Sequence, residues 1–210
     1  MKTIFIKAKS NEPVLPVVEK ALRILPDKIG LVTTIQHEHK LKEAKKLLEK
    51  HKKTAVIGGV VLGCDVSAAK NIANKVDAFL YMGTGEFHPL GIALETGKPV
   101  IVANPASGNA SGIDKKDVEK IKSRRKGSYL KFLTAKNIGI LVSTKPGQNK
   151  LKQALALKKK LKNKNSYIFI ADEIDLSRLE NFPFIEAWVN TACPRIADNI
   201  KGMVNIEDIK

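Results

Sequence analysis

The chain contains two copies of one pattern, and this internal repeat constrains its fold more than any other feature. One copy begins at Ile29 and reads IGLVTTIQHEHKLKEAKKLLEK, and the other begins at Ile138 and reads IGILVSTKPGQNKLKQALALKKKLKNK. Each has an apolar strand-like run, a polar turn and a basic amphipathic helix, and then continues into a second strand, a short helix and a third strand. The repeat therefore predicts an α/β fold of two related domains, each a small mainly parallel sheet flanked by helices and facing a shared cleft.

The alternation of apolar runs and helical patterns gives element boundaries along the whole chain. Strands are predicted near residues 3–8, 29–35, 54–57, 78–82, 100–103, 138–143, 167–171 and 187–191. Helices are predicted over residues 14–25, 39–51, 67–75, 89–96, 115–134 and 150–162. Glycine, serine, asparagine and then charge replace the apolar rhythm after residue 104, so we predict domains over 1–108 and 136–210, with a linker and bridging helix over 109–135.

The composition is that of a packed globular chain. Hydrophobic residues make up 43% of the 210 residues, which favours a buried core over long disordered stretches. The apolar run near the N-terminus is too short for a signal peptide, and no window approaches the ~20 apolar residues that cross a bilayer. We therefore expect a cytoplasmic location and no membrane partner.

The formal net charge of +16 invites a nucleic-acid interpretation, because lysine and arginine neutralise phosphates. Only five of the 37 basic residues are arginines, and the lysines fall mostly on the polar faces of helical segments such as KLKEAKKLLEKHKK. A lysine-rich solvated surface is the simpler interpretation of such a pattern. Nucleic acid is therefore not the expected partner, whereas an acidic protein is compatible with the charge.

The two cysteines, Cys64 and Cys193, both follow a predicted strand and precede a helix-like segment. Ligands of parallel-sheet units lie beyond the carboxyl ends of the strands. A thiol at a helix N-terminus feels the positive end of the peptide dipoles, which favours the thiolate that binds metals and acts as a nucleophile. Arg195 adds a positive charge beside Cys193. A buried cysteine also serves as a small apolar residue, so both interpretations stay open from the residues alone.

Two further segments at predicted strand ends are polar and contain glycine. MGTGEFHPLG offers Gly83 and Gly85 for close backbone approach to a ligand and His88 as a polar contact, although it is not a GxGxxG fingerprint. A turn histidine satisfied by the backbone is the alternative interpretation of His88. STKPGQNK offers Lys145 and Gln148 as a phosphate or carboxylate cradle, but it lacks the P-loop spacing.

Several blocks of the sequence resemble one known family. QHEHKL, LGCDVSAA, VDAFLYMGTGEFHPLGIALETGKPVIVANP, ILVSTKPGQ and VNTACPRIA resemble the diphthamide synthases, the 2-(3-amino-3-carboxypropyl)histidine synthases of archaea and eukaryotes. The blocks occur in the family's order and span nearly all of the chain. The resemblance is to the archaeal type of the family, in its second and third domains.

The resemblance implies a specific chemistry. Family members have three related α/β domains, usually pair as dimers, and hold a 4Fe-4S cluster by one cysteine from each domain. Electron transfer from the cluster cleaves S-adenosylmethionine to a 3-amino-3-carboxypropyl radical. The radical alkylates a histidine of translation elongation factor 2, which is the first step of diphthamide biosynthesis.

Carried over residue by residue, the resemblance implies that Cys64 and Cys193 match the second and third cluster cysteines. It assigns no catalytic residue. The residues that it implies as cofactor-binding pocket residues are Gly83, Gly85, His88, Lys145, Gln148 and Arg195.

The match begins where the family's second domain begins, so the first domain and the first cluster cysteine are missing from it. Cluster irons normally take protein thiolates, and no third cysteine occurs here. His88 or His37 could replace the missing cysteine as the third cluster ligand, because imidazole also binds iron. We instead expect this ligand from another chain, either one that supplies the first domain or a family paralogue. The chain would then be a transferase active only with that partner, in a homodimer or heterodimer.

Two other interpretations of the sequence stay open. In one, the chain is a non-catalytic paralogue that supports an active synthase. In the other, it is a basic RNA-binding or ribosome-binding protein built on the same fold, and its thiols are structural.

Overall fold

The chain folds into two compact units, Met1–Val118 and Glu119–Lys210. A computed structural model describes Ile6 and residues 8–209. The strand predicted over residues 3–8 lies outside the described residues except at Ile6 and Ala8, which are not in regular secondary structure. Along the chain, the boundary between the two units falls within a helix, α5 (Lys115–Thr134), whose limits match the prediction. The predicted limits 1–108 and 136–210 stay a prediction of the domain boundaries.

The first unit is a five-stranded sheet with helices on both faces. Its elements are α1 (Leu15–Ala21), β1 (Lys28–Thr33), α2 (Leu41–Lys50), β2 (Thr54–Val60), α3 (Ser67–Lys70), β3 (Ala78–Met82), α4 (Phe87–Thr96), β4 (Val100–Asn104) and β5 (Asn109–Gly112). The strand order is β2-β1-β3-β4-β5, and only β5 is antiparallel to its neighbour. Separate apolar clusters on the two faces of this sheet form the core of the unit.

The second unit is a four-stranded, fully parallel sheet. After α5, the elements of this unit are β6 (Asn137–Ser143), α6 (Leu151–Lys160), β7 (Asn165–Ala171), β8 (Ala187–Asn190) and β9 (Met203–Asn205). The strand order is β7-β6-β8-β9. The two sheets share this order. The first strand of the repeat, β1 or β6, lies between the second strand, β2 or β7, and the third strand, β3 or β8. The fourth strand, β4 or β9, lies on the other side of the third. The prediction of an α/β fold with two mainly parallel sheets flanked by helices is confirmed.

A glycine of the repeat explains how each sheet packs. Gly30 and Gly139 hold corresponding positions, and each pairs with an aromatic residue, Phe79 on β3 or Trp188 on β8. A Cβ atom on Gly30 would lie 2.7 Å from the Phe79 ring, and one on Gly139 would lie 2.3 Å from the Trp188 ring. Only glycine leaves room for these rings to cross the central strand.

Several short elements differ from the predictions. The helix predicted over 14–25 ends at Ala21, and the helix predicted over 67–75 is only the single turn of α3 followed by a 3₁₀ turn over Ala73–Lys75. Cys193 precedes a 3₁₀ helix, Pro194–Asn199, instead of an α-helix. Among the described residues, no helix combines the length and apolarity needed to cross a membrane.

Candidate functional site

The carboxyl edge of the first sheet collects the polar loops that follow its parallel strands. The loop after β2 contains Cys64, the loop after β1 contains His37, and the loop after β3 contains Gly83 and Gly85. Because parallel strands end at the same edge, these loops share one side of the sheet. This edge is the candidate ligand-binding side of the first unit.

Cys64 lies in an exposed two-residue turn. The backbones of Leu62 and Asp65 exchange two hydrogen bonds, of 3.1 and 2.9 Å, and Gly63 takes a left-handed φ of 55° between them. Asp65 Oδ1 accepts a hydrogen bond of 2.8 Å from the Ser67 amide. Hydrogen bonds from the Ser67 side chain and backbone hold the pKa of Asp65 below its usual value. The turn presents the Cys64 side chain to solvent.

Cys64 also borders a small open pocket. The pocket has a volume of about 270 Å³, and Ser67, Lys70 and Glu95 contribute to its lining. Lys70 Nζ and Glu95 Oε2 form an ion pair of 3.2 Å. The pocket is at the lower limit for small-molecule sites, which measure on the order of 300–1,000 Å³. It fits a small group better than a whole nucleoside.

The glycine loop after β3 is shaped by a buried tyrosine. Gly83 has a φ of 154°, and a Cβ atom there would lie 2.7 Å from Tyr81 Oη. Tyr81 Oη lies 3.4 Å from the Thr84 carbonyl oxygen and 3.4 Å from His88 Nδ1. Burial raises the pKa of Tyr81 to about 12. The hydroxyl is protonated at neutral pH and can donate to the Thr84 carbonyl oxygen. Gly85, with a φ of 72°, completes the loop ahead of α4.

Tyr81 was not identified from the sequence. It lies in AFLYM, a strand whose residues are all buried, and an apolar run of this kind hides a polar atom inside it. The signal that points to it is the glycine two positions later. His88, predicted in a turn, lies in the first turn of α4, and its ring stacks on the Tyr81 ring with 5.9 Å between centroids.

His37 is buried, with only 3% of its surface exposed. Its Nδ1 atom has no hydrogen-bond partner among the described residues. Burial is the main cause that lowers its pKa, against the opposing charge of Glu12. The neutral imidazole is therefore favoured at neutral pH.

In the second unit, Cys193 lies in a loop held by a buried asparagine. Asn190 Nδ2 donates to the Cys193 carbonyl oxygen and to Asn205 Oδ1, each at 2.8 Å. Asn190 Oδ1 accepts a hydrogen bond of 3.0 Å from the Ala192 amide. These bonds fix the backbone on both sides of the thiol, which is partly exposed. Asn190, like Tyr81, was not identified from the sequence, because it ends the buried and mostly apolar strand AWVN.

A buried carboxylate fixes the arginine that follows Cys193. Asp198 is 4% exposed, and its two oxygens bind Arg195 Nη1 at 3.1 Å and Arg125 Nε at 2.9 Å. Arg124 Nη1 donates to the Asp198 carbonyl oxygen. The positive charge predicted beside Cys193 is thus present, but one carboxylate is shared by two arginines there.

The predicted cradle after β6 also has internal partners. Lys145 Nζ pairs with Glu173 Oε1 at 3.0 Å, and Thr144 Oγ1 donates to Asp172 Oδ1. Gln148 is in a turn in which its amide donates to the Lys145 carbonyl oxygen at 3.0 Å. The Lys145 cation therefore already has a counter-ion from the loop after β7.

Each unit thus collects its own predicted residues at one sheet edge: Cys64, Gly83, Gly85 and His88 in the first unit, and Lys145, Gln148, Cys193 and Arg195 in the second. Among the described residues, no group of three histidine, cysteine or acidic side chains could hold a metal ion. A thiolate is the ligand that iron–sulfur clusters take, so each unit offers one suitable donor at the expected edge. The roles of all these residues stay predictions.

A family model described as "Putative diphthamide synthesis protein" matches residues 1–199. The chain belongs to this family. It is 36% identical over 208 residues to the 2-(3-amino-3-carboxypropyl)histidine synthase of Pyrococcus horikoshii, and the alignment covers 92% of this chain and 59% of the relative. It is 31% identical over 173 residues to the synthase of Methanocaldococcus jannaschii, and that alignment covers 80% of this chain and 45% of the relative.

The fold of this diphthamide synthesis family member is similar to a solved structure. The crystal structure of Dph2 from Pyrococcus horikoshii with a 4Fe-4S cluster matches with a TM-score of 0.81 and 33% sequence identity. The match covers 96% of this chain and 62% of that one. The chain therefore spans less than two thirds of the length of these relatives.

Proposed function

We propose that the chain acts in the first step of diphthamide biosynthesis, the transfer of a 3-amino-3-carboxypropyl group from S-adenosylmethionine to a histidine of translation elongation factor 2. The family match and the names of the relatives support this reaction. The observation that carries it to this chain is the thiol that each unit presents beyond the carboxyl end of a parallel strand. We also propose a cytoplasmic location, where this substrate protein would be met.

In the proposed site, Cys64 and Cys193 each supply a thiolate to a 4Fe-4S cluster. The third protein ligand comes from outside these 210 residues, and the transferase is active only when that ligand is supplied. When bound, the cluster supplies the electron that cleaves S-adenosylmethionine. Asn190 fixes the backbone at Cys193, and the Leu62–Asp65 hydrogen bonds hold the turn at Cys64.

The pocket residues have proposed binding roles. Gly83 and Gly85 let a ligand approach the backbone without side-chain interference, while Tyr81 holds the loop and orients the His88 ring. Lys145 and Gln148 are suited to the carboxylate of the methionine moiety. Arg195, held by Asp198, contributes positive potential near Cys193.

Anaerobic reconstitution with iron and sulfide tests the cluster ligands. Wild type, Cys64→Ser and Cys193→Ser are compared by iron content and electron paramagnetic resonance, alone and with a chain that supplies the family's remaining domain. We expect a labile cluster in wild type alone, a full cluster with the partner, and loss of cluster in either variant. His51→Ala is the control, because His51 is an exposed potential ligand at the opposite end of β2.

Each other outcome points to a different function. A full cluster and S-adenosylmethionine cleavage by the isolated chain would remove the need for a partner. Unchanged modification of elongation factor 2 in cells that carry both cysteine variants would leave a supporting, non-catalytic role. RNA binding that falls steeply with salt and ignores both variants would favour a basic binding protein, since the net charge is +16.

A further inference from the structure

Three of the five arginines of the chain surround one buried carboxylate in the segment that follows Cys193. Asp198 is 4% exposed, and its two carboxylate oxygens accept hydrogen bonds from Arg195 Nη1 at 3.1 Å and from Arg125 Nε at 2.9 Å. Arg124 Nη1 donates to the Asp198 backbone carbonyl oxygen. These three arginines are called the arginine group below. The basic residues elsewhere in the chain are mostly lysines, so arginine is concentrated at this loop.

The arginine group has more positive charge than the packing of the loop requires. A buried carboxylate needs a well-placed cation, because an unpaired buried charge is costly. Arg125 meets this need, since it reaches Asp198 from α5, 73 residues away in sequence. Arg195 joins no distant elements, because it lies in the same 3₁₀ helix as Asp198, three residues before it. A second guanidinium on one carboxylate adds repulsion between like charges, so the excess charge suits an anionic ligand at this loop.

Cys193 lies close to these charges along the backbone. It immediately precedes the 3₁₀ helix, and its carbonyl oxygen accepts hydrogen bonds from the Ile196 amide at 3.0 Å and from Asn190 Nδ2 at 2.8 Å. A 3₁₀ helix rises about 2 Å per residue, so Asp198 lies on the order of 10 Å along the helix from Cys193. Arg195 is nearer, on the order of 4 Å by the same rise.

The thiol loop of the first unit has the opposite charge beside its cysteine. Cys64 is followed by Asp65, and hydrogen bonds from Ser67 hold the pKa of this exposed carboxyl below its usual value. Lys70, the cation of the adjoining pocket, is paired with Glu95 at 3.2 Å. Positive charge beside the thiol is therefore a particular property of the second unit.

We propose that the arginine group raises the reduction potential of an iron–sulfur cluster bound at Cys193, and that Asp198 limits this rise. The proposal rests on the proposed function, which places a thiolate-ligated cluster at this residue. Such a cluster is an anion that becomes more negative on reduction, and nearby charge is one of the properties that set its potential. Positive charge therefore stabilises the reduced form more than the oxidised form. Asp198 is also a positioning residue, because its ion pair holds the Arg195 side chain.

The distances give the expected size of the effect. Two unit charges about 10 Å apart, at an effective dielectric constant of about 20, change an equilibrium constant about tenfold. Removal of one charge should therefore change the equilibrium constant for one-electron reduction about tenfold, which corresponds to about 59 mV. Only 23% of the Arg125 side chain and 17% of the Arg195 side chain are exposed, so salt screens these charges less than it screens surface charges.

Redox titration followed by electron paramagnetic resonance tests the proposal. The chain is reconstituted anaerobically with iron and sulfide, together with a chain that supplies the family's remaining domain, and dithionite is the reductant. Arg125→Gln should lower the equilibrium constant for reduction about tenfold, and Asp198→Asn should raise it about tenfold. The double variant Arg125→Gln/Asp198→Asn keeps the net charge of wild type, and its potential should return close to the wild-type value.

The second unit contains a matched control pair. Asp175 and Arg178 are also three residues apart, with Arg178 Nε 3.2 Å from Asp175 Oδ2, but both side chains are exposed. Asp175→Asn should change the equilibrium constant less than about twofold, because water and salt screen exposed charges. If Asp198→Asn does not fold, Arg125→Gln decides the test, since Arg195 still pairs with Asp198 in this variant.

The outcomes separate this proposal from the proposed function. If wild type binds no iron, or if Cys193→Ser binds as much iron as wild type, the proposed function is wrong and this proposal is wrong with it. If the cluster assembles but Arg125→Gln and Asp198→Asn leave its potential unchanged, only this proposal is overturned. A shift of both variants in the same direction, or an equal shift in Asp175→Asn, would also overturn it. Loss of the cluster from Arg125→Gln would assign the arginine a structural role instead.

Discussion

The two units share a strand order but place their thiols after different strands. Cys64 follows β2, the outer strand of the first sheet, whereas Cys193 follows β8, which corresponds to β3. Cys64 is exposed in a turn closed by two backbone hydrogen bonds, while Cys193 is partly buried in a loop braced by Asn190. The two units therefore repeat a fold without repeating the position of the thiol. The parallel strands place the ligand-binding loops at one edge of each sheet, but the individual loop determines where the cysteine lies.

The largest expected effect concerns the glycine that both units share. Gly139→Ala should destabilise the second unit by about 2–3 kcal/mol and Gly30→Ala the first by about 1–2 kcal/mol, because the clash with Trp188 is closer than the clash with Phe79. Urea unfolding followed by Trp188, the only tryptophan, reports on the second unit, and hydrogen exchange of β1 reports on the first. Trp188→Leu should partly rescue Gly139→Ala, and equal costs in both units would contradict the comparison.

The second prediction tests the difference between the two thiol loops. Asn190→Ala leaves buried backbone groups at Ala192 and Cys193 without their partner and should cost about 2 kcal/mol. Asp65→Ala removes only exposed hydrogen bonds, those from the Ser67 side chain and amide, and should cost less than about 1 kcal/mol. Asn190→Ala should also accelerate alkylation of Cys193 by iodoacetamide, measured by mass spectrometry, with Cys64 alkylated as fast as in wild type. Unchanged reactivity of Cys193 would show that Asn190 does not brace the loop.

The third prediction compares two lysines that precede corresponding strands. Lys164, before β7, donates to the carbonyl oxygens of Leu133 at 2.8 Å and Ala135 at 2.5 Å, while Lys53, before β2, donates to the Leu25 carbonyl oxygen at 3.1 Å. Lys164→Met should cost about 1–2 kcal/mol and Lys53→Met about half as much. Lys162→Met, two residues away, is the control and should change the free energy of unfolding little. If Lys162→Met cost as much as Lys164→Met, the hydrogen bonds from Lys164 to the carbonyl oxygens at the end of α5 would not be the cause of the loss.

The smallest expected effect is a pH dependence confined to the first unit. Burial lowers the pKa of His37 in the folded state, so the unfolded chain binds the proton more tightly. The contribution of His37 to stability should be complete above its unfolded pKa, near 6.5, and should decrease as the pH falls through the folded value. His37→Gln should flatten this dependence between neutral and mildly acidic pH in hydrogen exchange of β1. An unchanged slope in the variant would assign the pH dependence to other groups.

The sequence predicted the regular parts of this molecule because they follow from periodicity. The repeat at Ile29 and Ile138 indicated two parallel sheets, and α5 has the predicted limits. The strands β5 and β9 were not predicted, since NASG has the composition of a loop and MVN is too short to show a period. Their strand conformation comes from pairing with β4 and β8, which no local pattern records.

The candidate site was predictable to the level of loops but not of contacts. The positions of Cys64 and Cys193 after strands follow from the alternation of elements. The sequence did not identify the side chains that hold these loops, which are Tyr81, Asn190 and Asp198. Each is a polar side chain buried within or beside an apolar run. Their partners depend on tertiary packing. The segment after Cys193, where a helix was expected, is a 3₁₀ helix.

The ion pair between Lys145 and Glu173 ties the loop after β6 to the loop after β7. Under the proposed function, an anionic ligand that reaches Lys145 would compete with a carboxylate that the chain itself delivers at 3.0 Å. Both side chains are exposed, and an exposed ion pair contributes only about 0–1 kcal/mol. The loop after β7 would thus act as a weak internal competitor that any such ligand could displace.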